Sequence, residues 1–511
     1  MKPIDKTGRD RIARNLAARW LGQVVVIISG FIIPRQIDAS LGPTELGIWD
    51  FGWSTVNYFR LFGFGLAGGL NRFVALYNAE DDDHKLQRAV SSTVFLTILI
   101  SAVVTIAALS LAGMLPTVFE KIPDESVDQS QILIVLLGGT VAYRMLCWPA
   151  RSILTGYHLT TVTSMVTAAG DLLLLLGLFV VLMSGGGLAE LGLVVLGTTL
   201  LSETTRVFMA RRVYDGPILK RAFVDREMVG KMFVFGMKNN ISGLPYIVVL
   251  QTTNMVLAAT AGPAALAVFA RPLALCNLIG RLVRQYATLL TPVAGGMHGL
   301  KRYDDMKAFF LSSLRISVAM TAPPLVMLGG YGDIVIRVWM NDNYVVPWLC
   351  PLLSAAFFLS ISHSAAMRIL AGVDAHGRVA IRSLIASSIV YALALAVALL
   401  TGFNVISAAI VVGVGMSIGP GLVVMMGACK RFDVGLFEYL RQSILPPVLC
   451  NISLLSIVVF SRLMFPDMSL PEAALWGSAG GAIVLISYWH FLLSDDMRAK
   501  VAKRLPSFNR R

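Results

Sequence analysis

Long apolar runs recur along the whole chain, separated by short stretches rich in Lys, Arg, Gly and Pro. Each run holds about 20 residues, the length a helix needs to cross about 30 Å of hydrocarbon. The pattern predicts fourteen spans, at 15–34, 46–67, 89–112, 131–150, 162–183, 190–210, 233–257, 263–288, 308–329, 346–368, 381–402, 405–427, 443–464 and 472–493. The chain is therefore expected to be all-α and polytopic.

Composition agrees. Of 511 residues, 56% are hydrophobic and only 14% charged, where a soluble domain carries about a quarter. Mean hydropathy is +0.72. The opening MKPIDKTGRDRIARNLAARW is basic and no small-residue cleavage site follows. The run after it, which ends at Pro34, reads as a retained first span.

The net charge of +13 changes meaning once it is placed. With an even number of spans both termini share one side. That side carries 32 of the 43 Lys and Arg, and the other only four, Arg35, Lys121, Arg337 and Arg462. The asymmetry predicts cytoplasmic termini in a bacterial inner (plasma) membrane. It argues against nucleic acid, because the cations sit in short loops between apolar runs. The five cysteines are far apart, form no CxxC pair and read as small buried hydrophobes.

Two stretches are alike. LGPTELGIWDF (41–51) returns 220 residues later as AGPAALAVFAR (261–271), with Gly-Pro, a leucine three residues on, then small, β-branched and aromatic positions. Six spans precede the long basic loop at about 206–231 and six follow it. The chain thus predicts parallel repeats, an architecture of transporters. The expected organisation is an N-terminal six-helix bundle at 1–210, a basic cytoplasmic linker at 211–232, a C-terminal six-helix bundle at 233–430, and two further spans with a basic tail at 431–511.

Several segments are familiar in order and spacing: LGPTELGIW (41–49), LNRFVALY (70–77), RSILTGYHL (151–159), VIRVWMNDNY (335–344) and AGVDAHGRV (371–379). Through them the chain resembles the polysaccharide transporter family of lipid-linked oligosaccharide flippases. That family shares a superfamily with the lipid II flippases and the multidrug-and-toxin extrusion transporters. The resemblance implies a V-shaped pair of pseudo-symmetric six-helix bundles. It implies a central cavity lined by spans 1, 2, 7 and 8, with two appended helices. It also implies the movement of a polyprenyl-pyrophosphate-linked oligosaccharide from the inner to the outer leaflet, for exopolysaccharide, O-antigen or capsule synthesis. A polymerase and export machinery would be partners.

A cation at a helix centre is disfavoured by about 2.5–3.5 kcal/mol, so in-span cations mark candidate sites. Arg60, Arg271 and Arg281 are deep. Lys238, Arg284 and Arg315 lie near cytoplasmic ends, where snorkelling is the competing reading, and Arg144 is intermediate. Asp50, Ser54, Asn57 and Arg60 fall within an arc of roughly 120° on a helix. Arg281 and Arg284 share a face, with Arg271 roughly 80° away from Arg281. Arginine suits pyrophosphate because it offers planar, permanent, multi-donor contacts. Asn57, Asn239, Asn240, Gln251 and Asn254 suit sugar hydroxyls, or else hydrogen bonds between helices. The site expected is thus Arg60, Arg271, Arg281, Arg284, Asn57, Asn239 and Asn240. Asp50 and Arg271 either pair with each other or each pairs within its own half.

Asp50 and Asp171 are the acids furthest into the apolar runs and the candidates for proton or sodium coupling; a local structural role competes for Asp171. The membrane potential is a third source of drive. His363 is expected to be structural. No Walker motif, no catalytic constellation and no metal-spaced Cys/His set occurs, so neither a cofactor nor an enzyme is expected. Two other readings stand beside the flippase: an integral-membrane polymerase or acyltransferase of polysaccharide assembly, and a multidrug exporter.

Overall fold

The structure is a computed structural model and describes residues 12–63, 66–118, 121–492 and 498. The side chains of 12–23, 66–68, 118, 235, 238, 239, 303 and 304 lie outside the described ones. Every regular element among the described residues is helical. The first group is α1 (Ile12–Leu41), α2 (Pro43–Phe59), α3 (Leu66–Ala79), α4 (Asp83–Val118), α5 (Asp124–Leu146), α6 (Trp148–Gly156), α7 (Thr160–Met183) and α8 (Leu188–Arg211). Then come α9 (Arg226–Asn240), α10 (Leu244–Thr260), α11 (Pro263–Gly299), α12 (Tyr303–Trp339), α13 (Leu349–Ser362), α14 (Ser364–Gly372), α15 (His376–Thr401), α16 (Val405–Met416) and α17 (Val424–Arg431). The last are α18 (Leu436–Tyr439), α19 (Leu445–Met464) and α20 (Leu470–Phe491).

Among the described residues twelve stretches are long and apolar enough to cross a membrane, and α5 with α6, bent by 41°, make a thirteenth. This is a multi-pass membrane protein. The remaining span, expected at 46–67, is built differently. α2 has only 17 residues and gives way to a 3-10 turn at Arg60–Gly63. The sequence there is GFGLAGG, and glycine is the residue that weakens a helix most after proline. The corresponding stretch 220 residues on, VRQYATL, has no glycine, and α11 runs unbroken through it.

The repeat is written in the backbone. Gly42 and Gly262 turn into α2 and α11 with φ of 99° and 97°, a region glycine enters without penalty, and a proline follows each. Asp81 and Lys301, again 220 apart, leave the preceding helix with φ of 53° and 56°. His158 and Asp374 do the same with φ of 57° and 50° after α6 and α14. Each of these four is followed by the N–H bond to the carbonyl five residues back that ends a helix in a left-handed residue: Asp82 to Tyr77, Arg302 to Met297, Leu159 to Leu154 and Ala375 to Leu370. The break at Cys147 between α5 and α6 has its counterpart at His363 between α13 and α14.

The chain forms two compact units. One runs up to Ala270 and takes in Phe403–Val405; the other comprises Arg271–Gly402 and the chain from Ile406 on. In the first unit α5 packs against α4 and α8, and α1 against α7. Here too α2 lies along α10: Asn254 Nδ2 donates to Ser54 Oγ at 2.9 Å and the hydroxyls of Tyr58 and Thr252 meet. In the second unit Phe310, Leu314, Ile369, Leu370 and Tyr439 lie in one apolar core. His363 is buried there, with Nδ1 2.7 Å from the Leu359 carbonyl and Nε2 2.7 Å from the Tyr439 hydroxyl, a structural role as expected. The two appended helices, α19 and α20, close on α12 through Tyr331, Ile334, Leu454, Val458 and Val484. An Arg462–Asp333 ion pair at 2.5 Å holds the same contact. A π-helical turn at Ser417–Val423 contains Pro420, which supplies no N–H and forces the ladder open. Ser387 Oγ donates to the Gly415 carbonyl at 2.8 Å beside it.

Candidate functional site

The sequence-predicted cations fall into two groups, one in each unit. In the first unit Arg60 stands where α2 ends, as the residue whose N–H closes the last turn onto Val56 and Tyr58. Its side chain is exposed, and the charged neighbour acting on it is Arg151. Arg144 also feels Arg60. Arg151 sits on α6, just past the break at Cys147. The break therefore carries α6 away from the α5 axis and brings a cation that reads as a loop residue into the neighbourhood of Arg60.

The second unit repeats the device. Arg281 and Arg284 lie one turn apart in α11, and each is a like-charged neighbour of the other. Arg284 also acts on Arg368. Arg368 lies on α14, just past the break at His363, and its carbonyl accepts from Thr291 Oγ1 of α11 at 3.1 Å. In both units, then, an arginine on or at the end of the helix that follows the Gly-Pro turn is an electrostatic neighbour of an arginine on the short helix that follows a break.

The other predicted residues are distributed differently. Arg271 is 2% exposed, with its guanidinium 5.8 Å from the centroid of Trp339, a cation–π stack within the second unit. It is closed off from solvent. The polar stripe on α2 is divided: Ser54 is buried and bonded to Asn254, while Asp50 and Asn57 are half-buried. Asn240 Nδ2 donates to the Gly236 carbonyl at 3.0 Å, a bond inside its own helix. The side chain of Asn239, like that of Lys238, lies outside the described ones.

Asp171 has a setting the sequence did not show. It lines a polar cavity of about 150 Å³ in the first unit, together with Arg144, Arg151, Thr167, Thr199, Glu203 and Arg206. Arg206 and Glu203, both nearly buried, pair at 2.5 Å. Arg206 Nη2 donates to Thr167 Oγ1 at 2.8 Å, and Arg144 Nη2 to Thr199 Oγ1 at 3.2 Å. Sequence alone gives no means of joining Glu203 and Arg206 to Asp171, which is 32 residues from Glu203 and on another helix. No group of three or more His, Cys, Asp or Glu able to hold a metal occurs among the described residues.

The described residues are all-helical and polytopic, with a duplicated helix order and cations repeated in each unit, an architecture found among membrane transporters. Comparison makes this specific. Residues 21–181 match the MatE family model. The chain is similar to an inward-facing multidrug resistance MATE family transporter of the MOP superfamily, with 13% identity over 82% of this chain and 98% of that one, at a TM-score of 0.65. It is similar to the lipid II flippase MurJ in an inward closed conformation, with 13% identity over 92% of this chain and 97% of that one, at a TM-score of 0.64. A third similar structure is a MOP superfamily transporter from Pyrococcus furiosus, described by a binding pocket of reverse polarity that suggests a different function. It is 15% identical over 85% of this chain and 98% of that one, at a TM-score of 0.63. No curated protein matches the chain in sequence. The fold is that of the MOP superfamily transporters, and the superfamily resemblance read from the sequence is borne out at the level of fold.

Proposed function

We propose that the protein is a flippase that carries a polyprenyl-pyrophosphate-linked oligosaccharide across the bacterial inner membrane for surface polysaccharide synthesis. The observation that carries this reading is the repeated placing of arginines within electrostatic range of one another, Arg60 with Arg151 and Arg284 with Arg281 and Arg368. Like charges brought within range of one another repel, and an anion relieves that repulsion. Pyrophosphate has the charge and the acceptor oxygens to do so for several guanidinium groups at once. Asn57, half-buried on α2 three residues before Arg60, is the candidate for sugar hydroxyls, with Asn240 of α9 a second.

In this reading transport is by alternating access, with no chemical step and no cofactor. The termini face the cytoplasm, where lipid-linked precursors are built, and a polymerase and export machinery take over on the far side. The membrane potential, inside negative, favours outward passage of an anion. Asp50 and Asp171 are the residues through which a proton or sodium gradient would act.

The test uses a host strain lacking this gene. Radiolabelled prenyl-linked oligosaccharide is extracted and its leaflet assigned with a membrane-impermeant reagent. The expected result is intact units held on the inner leaflet, released by the wild-type gene and not by Arg60→Gln or Arg284→Gln. Units that reach the outer leaflet but stay unpolymerised would replace the flippase with an assembly enzyme. Normal glycan together with altered drug sensitivity would make the protein a multidrug exporter.

A further inference from the structure

The geometry points to a phosphate-binding site within the first unit, in the cavity between α5, α6, α7 and α8, which shares Arg151 with the proposed cargo site but is centred on Arg144 and Arg206. Its wall carries three arginines, Arg144, Arg151 and Arg206, against two carboxylates, Asp171 and Glu203. The Arg206–Glu203 pair is internally neutral at 2.5 Å. What remains is Arg144 and Arg151 against Asp171, one positive charge in excess. Asp171 is acted on by all three arginines.

The cavity is built to receive an oxyanion. It measures about 150 Å³, room for several waters at about 30 Å³ each and hence for one tetrahedral phosphate group. The donors line it from three helices. Arg206, 4% exposed, has its Nε–H buried without a hydrogen-bond partner among the described residues. Arg144 spends one Nη on Thr199, which leaves the rest of its fork. Thr167, Thr198, Thr199 and Ser202 complete the wall; Thr167 and Thr198 donate to carbonyls of their own helices, so the guanidinium groups are the donors for an anion. The inner face, at Arg206 and Glu203, is buried, while Arg144 and Arg151 at the mouth are exposed. Arg144 lies in the last turn of α5, a place from which a long cationic side chain reaches the membrane–water interface. A phosphate can come to such a mouth from solution or on a lipid headgroup, and the chemistry of capture is the same.

The site predicts an unusual response to Asp171. If the cluster were only an internal ion-pair network, Asp171→Asn would weaken it. If the cavity takes an anion, Asp171 competes for the same arginines, and its neutralisation strengthens binding.

The experiment uses the purified, delipidated full chain in detergent. Thermal unfolding is followed against inorganic phosphate at constant ionic strength set with potassium chloride. In parallel, native mass spectrometry counts bound phosphatidylglycerol against phosphatidylcholine. A ligand that binds only the folded state raises the midpoint with saturation. Saturable binding of phosphate identifies a free anion, and selective retention of phosphatidylglycerol alone identifies a headgroup. Either is expected to fall at least about tenfold in Arg144→Gln and to tighten about tenfold in Asp171→Asn, as expected for one charge acting at close range. Binding of neither probe, or binding unchanged in both variants, overturns the site. Should Arg144→Gln fail to fold, Asp171→Asn decides alone, and unchanged or weaker binding there overturns it. These readouts are of binding, so they fail independently of the cargo proposed above.

Discussion

Gly47, inside the first of the two like stretches, lies against the carbonyl of Pro263, the first residue of α11; a Cβ at Gly47 would come within 1.8 Å of that oxygen. The backbone of α2 therefore approaches closer than any side chain allows. Gly47→Ala is expected to push the helix away and cost about 1–3 kcal/mol, the usual range for overpacking, read as a lower thermal midpoint in detergent. A variant as stable as wild type would mean that the two backbones do not meet so closely. Tyr439→Phe tests a second point. It strips the partner from the buried Nε2 of His363, held at 2.7 Å. An unsatisfied buried polar group destabilises by about 1–3 kcal/mol, so unfolding should shift down measurably, whereas an unchanged midpoint would show that His363 finds another partner. At this scale the sequence was informative where a cation interrupts a long apolar run, as at Arg60 and Arg281. It was silent about Arg151 and Arg368. Both follow breaks inside apolar runs, at Cys147 and His363; Pro149 marks the first, while the second has no Gly or Pro beside it, and both residues read as loop cations. It also grouped Ser54 with Asp50, Asn57 and Arg60 on one polar arc, because periodicity says which residues share a face and not what that face meets. Asn254 meets it here.

Helix ends carry the duplication more faithfully than helix interiors. The left-handed residues at Asp81, His158, Lys301 and Asp374 fall at equivalent places, although only local turn geometry links them. Lys301 is the most telling of the four, because lysine has no short polar side chain to offset a left-handed backbone. Lys301→Gly is expected to stabilise the chain by about 1 kcal/mol, the penalty such a residue carries. A chemical-denaturation midpoint that stays put or falls would show that the lysine side chain does something the backbone geometry does not reveal. The order of spans was legible in the sequence because hydrocarbon thickness sets run length with little ambiguity. The structure revises the second span, where Gly63 and the glycines after it divide what hydropathy reads as one run into α2, a 3-10 turn and α3. Hydropathy averages over such a break; glycine content, compared with the gap-free counterpart in α11, would have exposed it.

Across the whole molecule the distribution of charge makes a prediction about energy. The described cations of the two units lie on pseudo-equivalent helices, and the cargo proposed for them is an anion. Moving one charge through 100 mV is worth about 2.3 kcal/mol, or close to fiftyfold in a rate if the whole charge crosses in the limiting step. In proteoliposomes loaded with a fluorescent prenyl-pyrophosphate glycan, a potential of about 100 mV, negative on the donor side, should therefore speed translocation severalfold or more. Which limb of the cycle feels the field can be separated by charge. Outward passage of cargo bound to the arginines moves a smaller net charge than the cargo alone, and the return of empty cationic units moves charge in the direction the field favours. Arg60→Gln combined with Arg284→Gln lowers the charge of the empty units, so it should flatten the voltage dependence if return is limiting. It should steepen that dependence if outward passage is limiting. Translocation that ignores potential and instead follows an imposed pH gradient would move the coupling away from the arginines and onto the acids, with Asp50 and Asp171 the first to neutralise.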